Sequence, residues 1–171
     1  MIDCLFRDKL IAFYPSFNHP IAPRDLSIRG GFDQKINIFN EIRGKSEFIK
    51  HFCDLSRQAN GLFMVGASVN FGKIYPSAII LHKGKLIDIT SQTSTSQNTV
   101  KVYRANGQSY GVLVSDDIYS EKAVKTIANK CDIIIGVDNA CTSVKREILA
   151  NFARATPCSI ICAYADTVVY F

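Results

Sequence analysis

A chain of 171 residues is long enough for one folded domain with a buried core. Hydrophobic residues make up 47% of it and charged residues 20%, which excludes a disordered composition. The net charge of +5 comes from scattered lysines and arginines, and no stretch interleaves basic with aromatic residues, so the composition argues against a nucleic-acid-binding protein.

Targeting signals and metal motifs are also missing from the sequence. No apolar run reaches the roughly 18 residues that span a bilayer, and the first ten residues alternate charged with apolar side chains too early for a signal peptide. The six cysteines include no CxxC pair, and the three histidines are not spaced with them as metal ligands. We therefore expect a cytoplasmic protein with reduced thiols, no membrane partner, no metal and no other cofactor.

The predicted elements begin with a short strand, Leu10 to Tyr14. Residues 16–33 follow, and because they contain two prolines and a glycine pair they are interpreted as a long loop. Apolar residues at three- and four-residue spacing then predict a helix from about Ile42 to Asn60. The nearly continuous apolar run Leu62 to Val69 is typical of a strand that is buried on both faces.

Two strand pairs joined by short glycine-containing turns come next, which predicts two hairpins. Their strands are Ser77 to Leu81 with Lys85 to Thr90, and Val100 to Tyr103 with Tyr110 to Val114. The small, polar residues Ser91 to Asn98 predict a loop between the hairpins.

The last third of the chain alternates helices with strands. Amphipathic helices are predicted over Ser120 to Lys130 and over Ser143 to Ala155, the second with Val144, Ile148, Leu149 and Phe152 facing inward. Strands are predicted over Asp132 to Val137, Ser159 to Ala163 and the apolar tail Val168 to Phe171. Since apolar strands alternate with helices, we expect a layered α/β sheet covered on its faces, with residues 1–171 as a single domain.

Two segments carry a more specific pattern. In SYGVLVSDDIYS, Ser109 to Ser120, a glycine and three apolar residues lead to a serine, two acidic residues and a helix. About twenty residues on, CDIIIGVDNA is an apolar run that ends in Asn-Ala. With LIAFYPS and VGASVNFGKIYPSAIILHKGKLI before them, these segments resemble in order and spacing the core of the nitrilase superfamily of carbon–nitrogen hydrolases.

The pattern is most similar to the glutaminase domain of glutamine-dependent NAD synthetases. There Asn-Ala-Ser leads to a helix with Lys and Arg, as Asn139-Ala140-Cys141 leads here to Lys145 and Arg146. The resemblance implies an α/β fold, a layered α-β-β-α sandwich of nitrilase type that is truncated at both ends.

The resemblance also implies positions for the catalytic residues. In the family a Cys thiolate attacks the amide or nitrile carbon, a Glu is the general base, and a Lys stabilises the tetrahedral intermediate. Carried over position by position, the Glu becomes Ser16, the Lys becomes Gln92 to within a residue or two, and the Cys becomes Ser115. None of the three can do the chemistry of its counterpart. The resemblance therefore implies a nitrilase-like protein with no catalytic residues, which acts as a binding or assembly module.

An alternative stays open, namely a carbon–nitrogen hydrolase of amidase or glutaminase type that uses an unconventional nucleophile or is completed by a partner chain. Cys141 is the candidate nucleophile, at the rim where the family's pocket would open. We expect a pocket that includes Asp116, Asn139, Cys141 and Lys145 and takes a small amide or carboxylate ligand.

Two further expectations concern a helix cap and the oligomeric state of the protein. The acidic pair Asp116-Asp117 is expected to cap the helix that starts near Ser120 rather than to take part in catalysis. The missing outer strands and the apolar tail Val168 to Phe171 predict a homodimer or higher oligomer, because unpaired edges and exposed apolar surface are unfavourable.

Overall fold

The computed structural model describes residues 26–37, 47–93, 100–105 and 107–171, which form two β-sheets with helices on their outer faces. The predicted strand Leu10 to Tyr14 and the position Ser16 lie outside the described residues. In the part that is described, no helix is long and apolar enough to cross a bilayer.

The first sheet is built around a long hairpin. Its strands are β1 (Leu26–Arg29), β2 (Lys35–Asn37), β3 (Leu62–Asn70), β4 (Ile74–His82) and β5 (Lys85–Ser91). The order is β1-β3-β4-β5, and β2 continues along the same edge of β3 beyond β1. Both short strands run parallel to β3, whereas β3 and β4 pair antiparallel over the whole length of both.

The second sheet has a parallel centre. Its strands are β6 (Lys101–Ala105), β7 (Gln108–Val114), β8 (Ile133–Val137), β9 (Ser159–Ala163) and β10 (Val168–Tyr170), in the order β10-β9-β8-β7-β6. β7, β8 and β9 are parallel neighbours, and β6 and β10 pair antiparallel at the two edges. The carboxyl ends of β7, β8 and β9 therefore meet at one edge of the sheet.

The sheets pack face to face and the helices cover them. Apolar side chains from both sheets form the central layer, namely Ile28, Leu62, Met64, Ala78, Ile80, Tyr110, Val112, Val114, Ile133, Ile135, Val137, Ile161 and Ala163. Helix α1 (Glu47–Gln58) covers the first sheet through Ile49 and Phe52, while α2 (Glu121–Ala128) and α3 (Ser143–Ala155) cover the second. The four layers are α-β-β-α, as the family resemblance implies. The sequences of strands such as β3 and β8 are continuous apolar runs because these strands are buried on both faces.

Two glycines lie where backbone segments come very close to each other. A Cβ atom added at Gly30 would lie 2.2 Å from the carbonyl oxygen of Ala163, and one at Gly66 would lie 2.3 Å from the carbonyl oxygen of Gly31. The Gly31 backbone N–H also donates to the carbonyl of Asp138 at 2.9 Å. The segment after β1 is thus fastened to the carboxyl ends of β8 and β9.

Most predicted elements are confirmed, and three predictions need correction. The loop predicted over residues 16–33 is wrong for Leu26–Arg29, which form β1, because that strand takes its hydrogen bonds from β3, far along the chain. The strand predicted for the apolar tail is confirmed as β10, but the exposed apolar surface assumed for it in the oligomer argument is not found, since β10 pairs with β9 and its side chains are half-buried. Val144 does not face inward but is 64% exposed, because the first turn of α3 directs Lys145 at the sheet instead.

Candidate functional site

The polar residues that follow β7, β8 and β9 lie together at the carboxyl edge of the second sheet. They are residues 115–117, 138–141 and 164–167. Ligands of open α/β sheets bind outside the carboxyl ends of the strands, so this edge is the candidate site.

Ser115, where the family's nucleophile is expected, has a strained backbone. Its φ of 55° is in the left-handed region, which costs a non-glycine residue of order 1 to 3 kcal/mol. The side chain is half-buried at the turn from β7 into a 3₁₀ segment, Ser115–Tyr119. Among the described residues, none forms a hydrogen bond with the Ser115 hydroxyl.

Gln92, matched to the family's Lys, lies beside the same turn. Its side-chain amide donates to Asp116 at 3.3 Å, and the residue is buried. The next residue, Thr93, donates its backbone N–H at 2.5 Å and its hydroxyl at 2.8 Å to the buried carboxylate of Asp117. These bonds fasten the end of the first sheet to the turn that carries Ser115.

The capping role expected of Asp116 and Asp117 is wrong. The Ser120 hydroxyl caps α2, because it accepts from the backbone N–H of Ala123 at 3.4 Å. The intervening 3₁₀ segment turns the two carboxylates away from α2 and toward residues 92–93.

Asp138 is a second buried carboxylate of the site, in addition to Asp117. Its carboxylate accepts from the Tyr119 hydroxyl and from the Lys145 ammonium, each at 2.6 Å. The ammonium also lies 4.9 Å from the centre of the Tyr119 ring, and the Tyr164 hydroxyl is 3.4 Å from that of Tyr119. Burial first, and then the hydrogen bond to Asp138, raise the pKa of Tyr119 far above its ordinary value, so the phenol remains a donor. Lys145 is therefore committed to an ion pair with this buried carboxylate.

A cleft of about 640 Å³ opens beside this network. It lies between the segment that follows β8, the first turn of α3 and the turn between β9 and β10; the lining residues are Asn139, Ala140, Cys141, Thr142, Ser143, Arg146, Ala165, Asp166 and Thr167. The lining combines one guanidinium, one carboxylate, one thiol and several hydroxyl and amide groups. It is suited to a small polar ligand.

The predicted pocket residues are divided between two places. Asn139 and Cys141 line the cleft, and the Asn139 side-chain oxygen accepts from the Phe32 backbone N–H at 2.8 Å. Asp116 and Lys145 are instead held in the contacts described above, outside the lining.

Sequence reasoning missed several lining residues. The motif contained Arg146 but did not assign it to the pocket. Neighbouring residues in the first turn of a helix point to different sides, so Arg146 lines the cleft while Lys145 contacts Asp138. Asp166 and Thr167 gave no local signal, because only the pairing of β9 with β10 brings their turn to the cleft.

The thiols near the site differ in environment. Cys162 is fully buried, and burial is the largest cause that raises its pKa to about 12, so it remains a protonated core thiol. Cys141 is half-buried and reaches the cleft. Across the described ranges, no cluster of three or more His, Cys, Asp or Glu side chains could hold a metal ion.

Comparisons with known proteins find structural neighbours only. No family model matches the chain, and no curated protein sequence matches it. Saccharomyces cerevisiae Nit3, a member of branch 10 of the nitrilase superfamily, aligns with a TM-score of 0.58 and 15% identity over 70% of this chain and 51% of its own. A mutant of the Nesterenkonia AN1 amidase, from the nitrilase superfamily, aligns with a TM-score of 0.59 and 11% identity over 71% of this chain and 55% of its own.

A glutamine-dependent NAD⁺ synthetase from Acinetobacter baumannii aligns over more of this chain. The TM-score is 0.61 and the identity 15%, over 85% of this chain and 33% of the synthetase. The chain thus spans about half the length of the first two neighbours and a third of the synthetase. Likeness at these identities establishes the fold, and the fold of this chain is that of the nitrilase superfamily.

Proposed function

We propose that this nitrilase-like protein does not hydrolyse carbon–nitrogen bonds by the family mechanism and acts instead as a binding or assembly module. The observation that carries the proposal is the chemistry around Ser115. Ser115 stands where the family resemblance implies the nucleophile, none of the described residues forms a hydrogen bond with its hydroxyl, and the neighbouring Gln92 is an uncharged amide bonded to Asp116.

The energetics of amide hydrolysis support this reading. A serine hydroxyl needs a positioned base, since it has almost no anion at neutral pH. Loss of one oxyanion partner typically costs about 3 to 4 kcal/mol in the transition state. Lys145 could supply an ammonium only by leaving the buried Asp138 carboxylate, which would then lack its counter-ion.

The cleft is the proposed binding site, and a small carboxylate or amide is the proposed ligand. The Arg146 guanidinium can pair with a carboxylate, and the Thr142, Ser143 and Thr167 hydroxyls can bond either oxygen of it. Native mass spectrometry of the purified protein is expected to find a co-purifying small acid or amide that is lost in Arg146→Gln. Asp132→Asn, at the opposite end of the second sheet, is the matched control and should retain the ligand.

Assembly into a homodimer or higher oligomer is part of the same proposal. It is supported by β5, which is the edge strand of the described first sheet and leaves Leu86 39% and Ile87 52% exposed. Light scattering should give at least twice the monomer mass, and Ile87→Lys should lower the oligomer fraction. A monodisperse monomer at micromolar concentration would contradict this part.

The catalytic part is tested by ammonia release from a panel of amides and nitriles. We expect no turnover by the wild type or by Ser115→Cys, because the thiol restores one of three parts and stays protonated without a base or nearby cation. Turnover by the wild type that disappears in Ser115→Ala would overturn the proposal.

A second candidate function is favoured by one observation. The left-handed φ of 55° at Ser115 keeps a strained strand-to-helix turn, and such strain accumulates at active sites. A hydrolase that uses Ser115 or Cys141, or that a partner chain completes, would release ammonia in the same assay. Ser115→Ala and Cys141→Ser tell the two nucleophiles apart.

A further inference from the structure

Two cysteines lie next to each other at the end of the second sheet opposite the candidate site. Cys131 precedes β8 and Cys158 precedes β9, and these strands are parallel neighbours in the register Ile133 to Ser159. The Ser159 backbone N–H donates to the carbonyl of Asp132 at 3.2 Å, which is one of the hydrogen bonds of this first pair. Cys131 comes two residues before Ile133 and Cys158 one residue before Ser159, so the two cysteines are diagonal neighbours, offset by one position.

This placement suits a disulfide. Strands lie roughly 4.8 Å apart and rise about 3.3 Å per residue, so a diagonal pair has Cα atoms about 6 Å apart. Disulfides form when the Cα atoms are roughly 4.4 to 6.8 Å apart. The backbone can therefore bring the two sulfurs together without a large movement.

Both thiols are on the same face of the sheet. Cys158 is buried in the layer between the second sheet and its two helices, and Cys131 packs against that layer. The Cys131 thiol donates to the Ile127 carbonyl at 3.4 Å, and the Cys158 thiol to the Thr156 hydroxyl at 3.6 Å. Burial, followed by the proximity of Cys158, raises the pKa of Cys131 to about 11.

Solvent reaches one of the two sulfurs. Cys131 is half-buried and lines a second cleft of about 480 Å³, together with Lys130 and Asp132. Cys158 is 5% exposed and does not line that cleft.

We propose that Cys131 and Cys158 are a redox modification site, where a low-molecular-weight disulfide such as oxidised glutathione converts the two thiols into an intramolecular disulfide. The Cys131 thiolate attacks one sulfur of the small disulfide, which forms a mixed disulfide and releases one thiolate. The Cys158 thiolate then attacks the Cys131 sulfur and displaces the second thiolate. Both cysteine protons end on the released thiols, so the protein loses two hydrogens and the small disulfide is reduced to two thiols.

The bond would close a loop that contains β8, Asp138, the lining residues 139–143 and 146, and all of α3. Closing this loop restricts the unfolded chain, and a rise in Tm of roughly 5 to 10 °C follows for a protein of this size. The reaction is slow at neutral pH, because little of Cys131 is thiolate. Its initial rate should rise about tenfold per pH unit between pH 7 and 9, well below the pKa of Cys131.

The experiment incubates the full chain with oxidised glutathione, blocks remaining thiols with an alkylating agent, and maps the peptides by mass spectrometry. We expect a Cys131–Cys158 cross-linked peptide, a mass loss of about 2 Da before alkylation, and the rise in Tm. Cys158→Ser should stop at a glutathione adduct on Cys131. Cys131→Ser should give neither the adduct at that position nor the rise in Tm.

Cys53→Ser is the matched control, since Cys53 is also half-buried but packs between α1 and the first sheet. It should leave the cross-link and the Tm rise unchanged. Oxidised protein in which Cys131 and Cys158 are alkylated while other cysteines are linked would overturn the proposal. So would a rise in Tm that persists in Cys131→Ser.

Discussion

Ser115 combines an unfavourable backbone with a side chain that no described residue bonds. A β-branched residue tolerates the left-handed region worst, while glycine enters it freely. We expect Ser115→Val to lower the free energy of unfolding by about 1 to 3 kcal/mol and Ser115→Gly to leave it unchanged or raise it. Urea denaturation measures both. If Ser115→Val and Ser115→Gly changed the free energy of unfolding equally, the backbone at residue 115 would not be strained.

Asp138 holds three parts of the site together, because it accepts from Tyr119 and Lys145 and its backbone carbonyl accepts from Gly31. Asp138→Asn removes the charge and leaves the partly exposed ammonium of Lys145 without its partner. The expected loss of stability is about 1 to 3 kcal/mol.

The control for Asp138→Asn is a substitution in an exposed ion pair that also joins a carboxylate and a lysine. Glu121 and Lys125 form an ion pair on α2 in which both side chains are about two thirds exposed. Glu121→Gln should give no measurable change in urea denaturation, because exposed pairs contribute little. If both substitutions cost the same, the burial of Asp138 would have no energetic consequence.

At the scale of elements, the close approach of the two sheets depends on Gly30. An alanine Cβ would meet the carbonyl group of Ala163, which is backbone and cannot rotate away. Overpacking of this kind costs about 1 to 3 kcal/mol or more. We expect Gly30→Ala to lower Tm by at least several degrees in a thermal unfolding scan.

Gly72→Ala is the control for Gly30→Ala, because it tests the cost of backbone conformation without a steric clash. It has a φ of +101° in the turn between β3 and β4, and no atom lies within 4 Å of an added Cβ. Gly72→Ala should therefore cost only the backbone strain of about 1 kcal/mol. A larger loss for Gly72→Ala than for Gly30→Ala would contradict the described sheet packing.

At the scale of the whole molecule, four buried or half-buried acidic groups, two thiols and two phenols, make stability fall in alkaline solution. Burial raises the pKa of Cys131 to about 11 and of Cys162 to about 12, from an ordinary 9.0, and it raises those of Tyr119 and Tyr164 above 10.0. Between about pH 9 and 12 the unfolded chain binds fewer protons than the folded one, so the free energy of unfolding decreases as pH rises.

Each such group contributes up to about 1.4 kcal/mol per pH unit within its window. Urea denaturation from pH 8 to 11 should show the decline beginning near pH 9, and Cys162→Ala should reduce its slope. A free energy of unfolding that stays constant to pH 11 would contradict the burial of these groups.

The sequence by itself determined the elements and, through the family resemblance, the layers. Apolar runs of strand length marked β3, β7, β8 and β9, and three- and four-residue spacing marked the helices, because burial on one or both faces leaves a periodic trace in a local segment. β1 left no such trace. It is four residues long, and its hydrogen bonds come from β3.

The candidate site was predictable in outline only. The motifs located Ser115, Gln92 and Asn139 near the carboxyl ends of strands, which local patterns can do. Tertiary structure alone decided that Lys145 turns inward to Asp138, that Asp117 binds Thr93, and that residues 165–167 complete the cleft. Asp117 and Thr93 are 24 residues apart, whereas Lys145 and Asp138 are only seven apart. In each case the geometry depends on how the two sheets and a helix pack, so no local pattern encodes it.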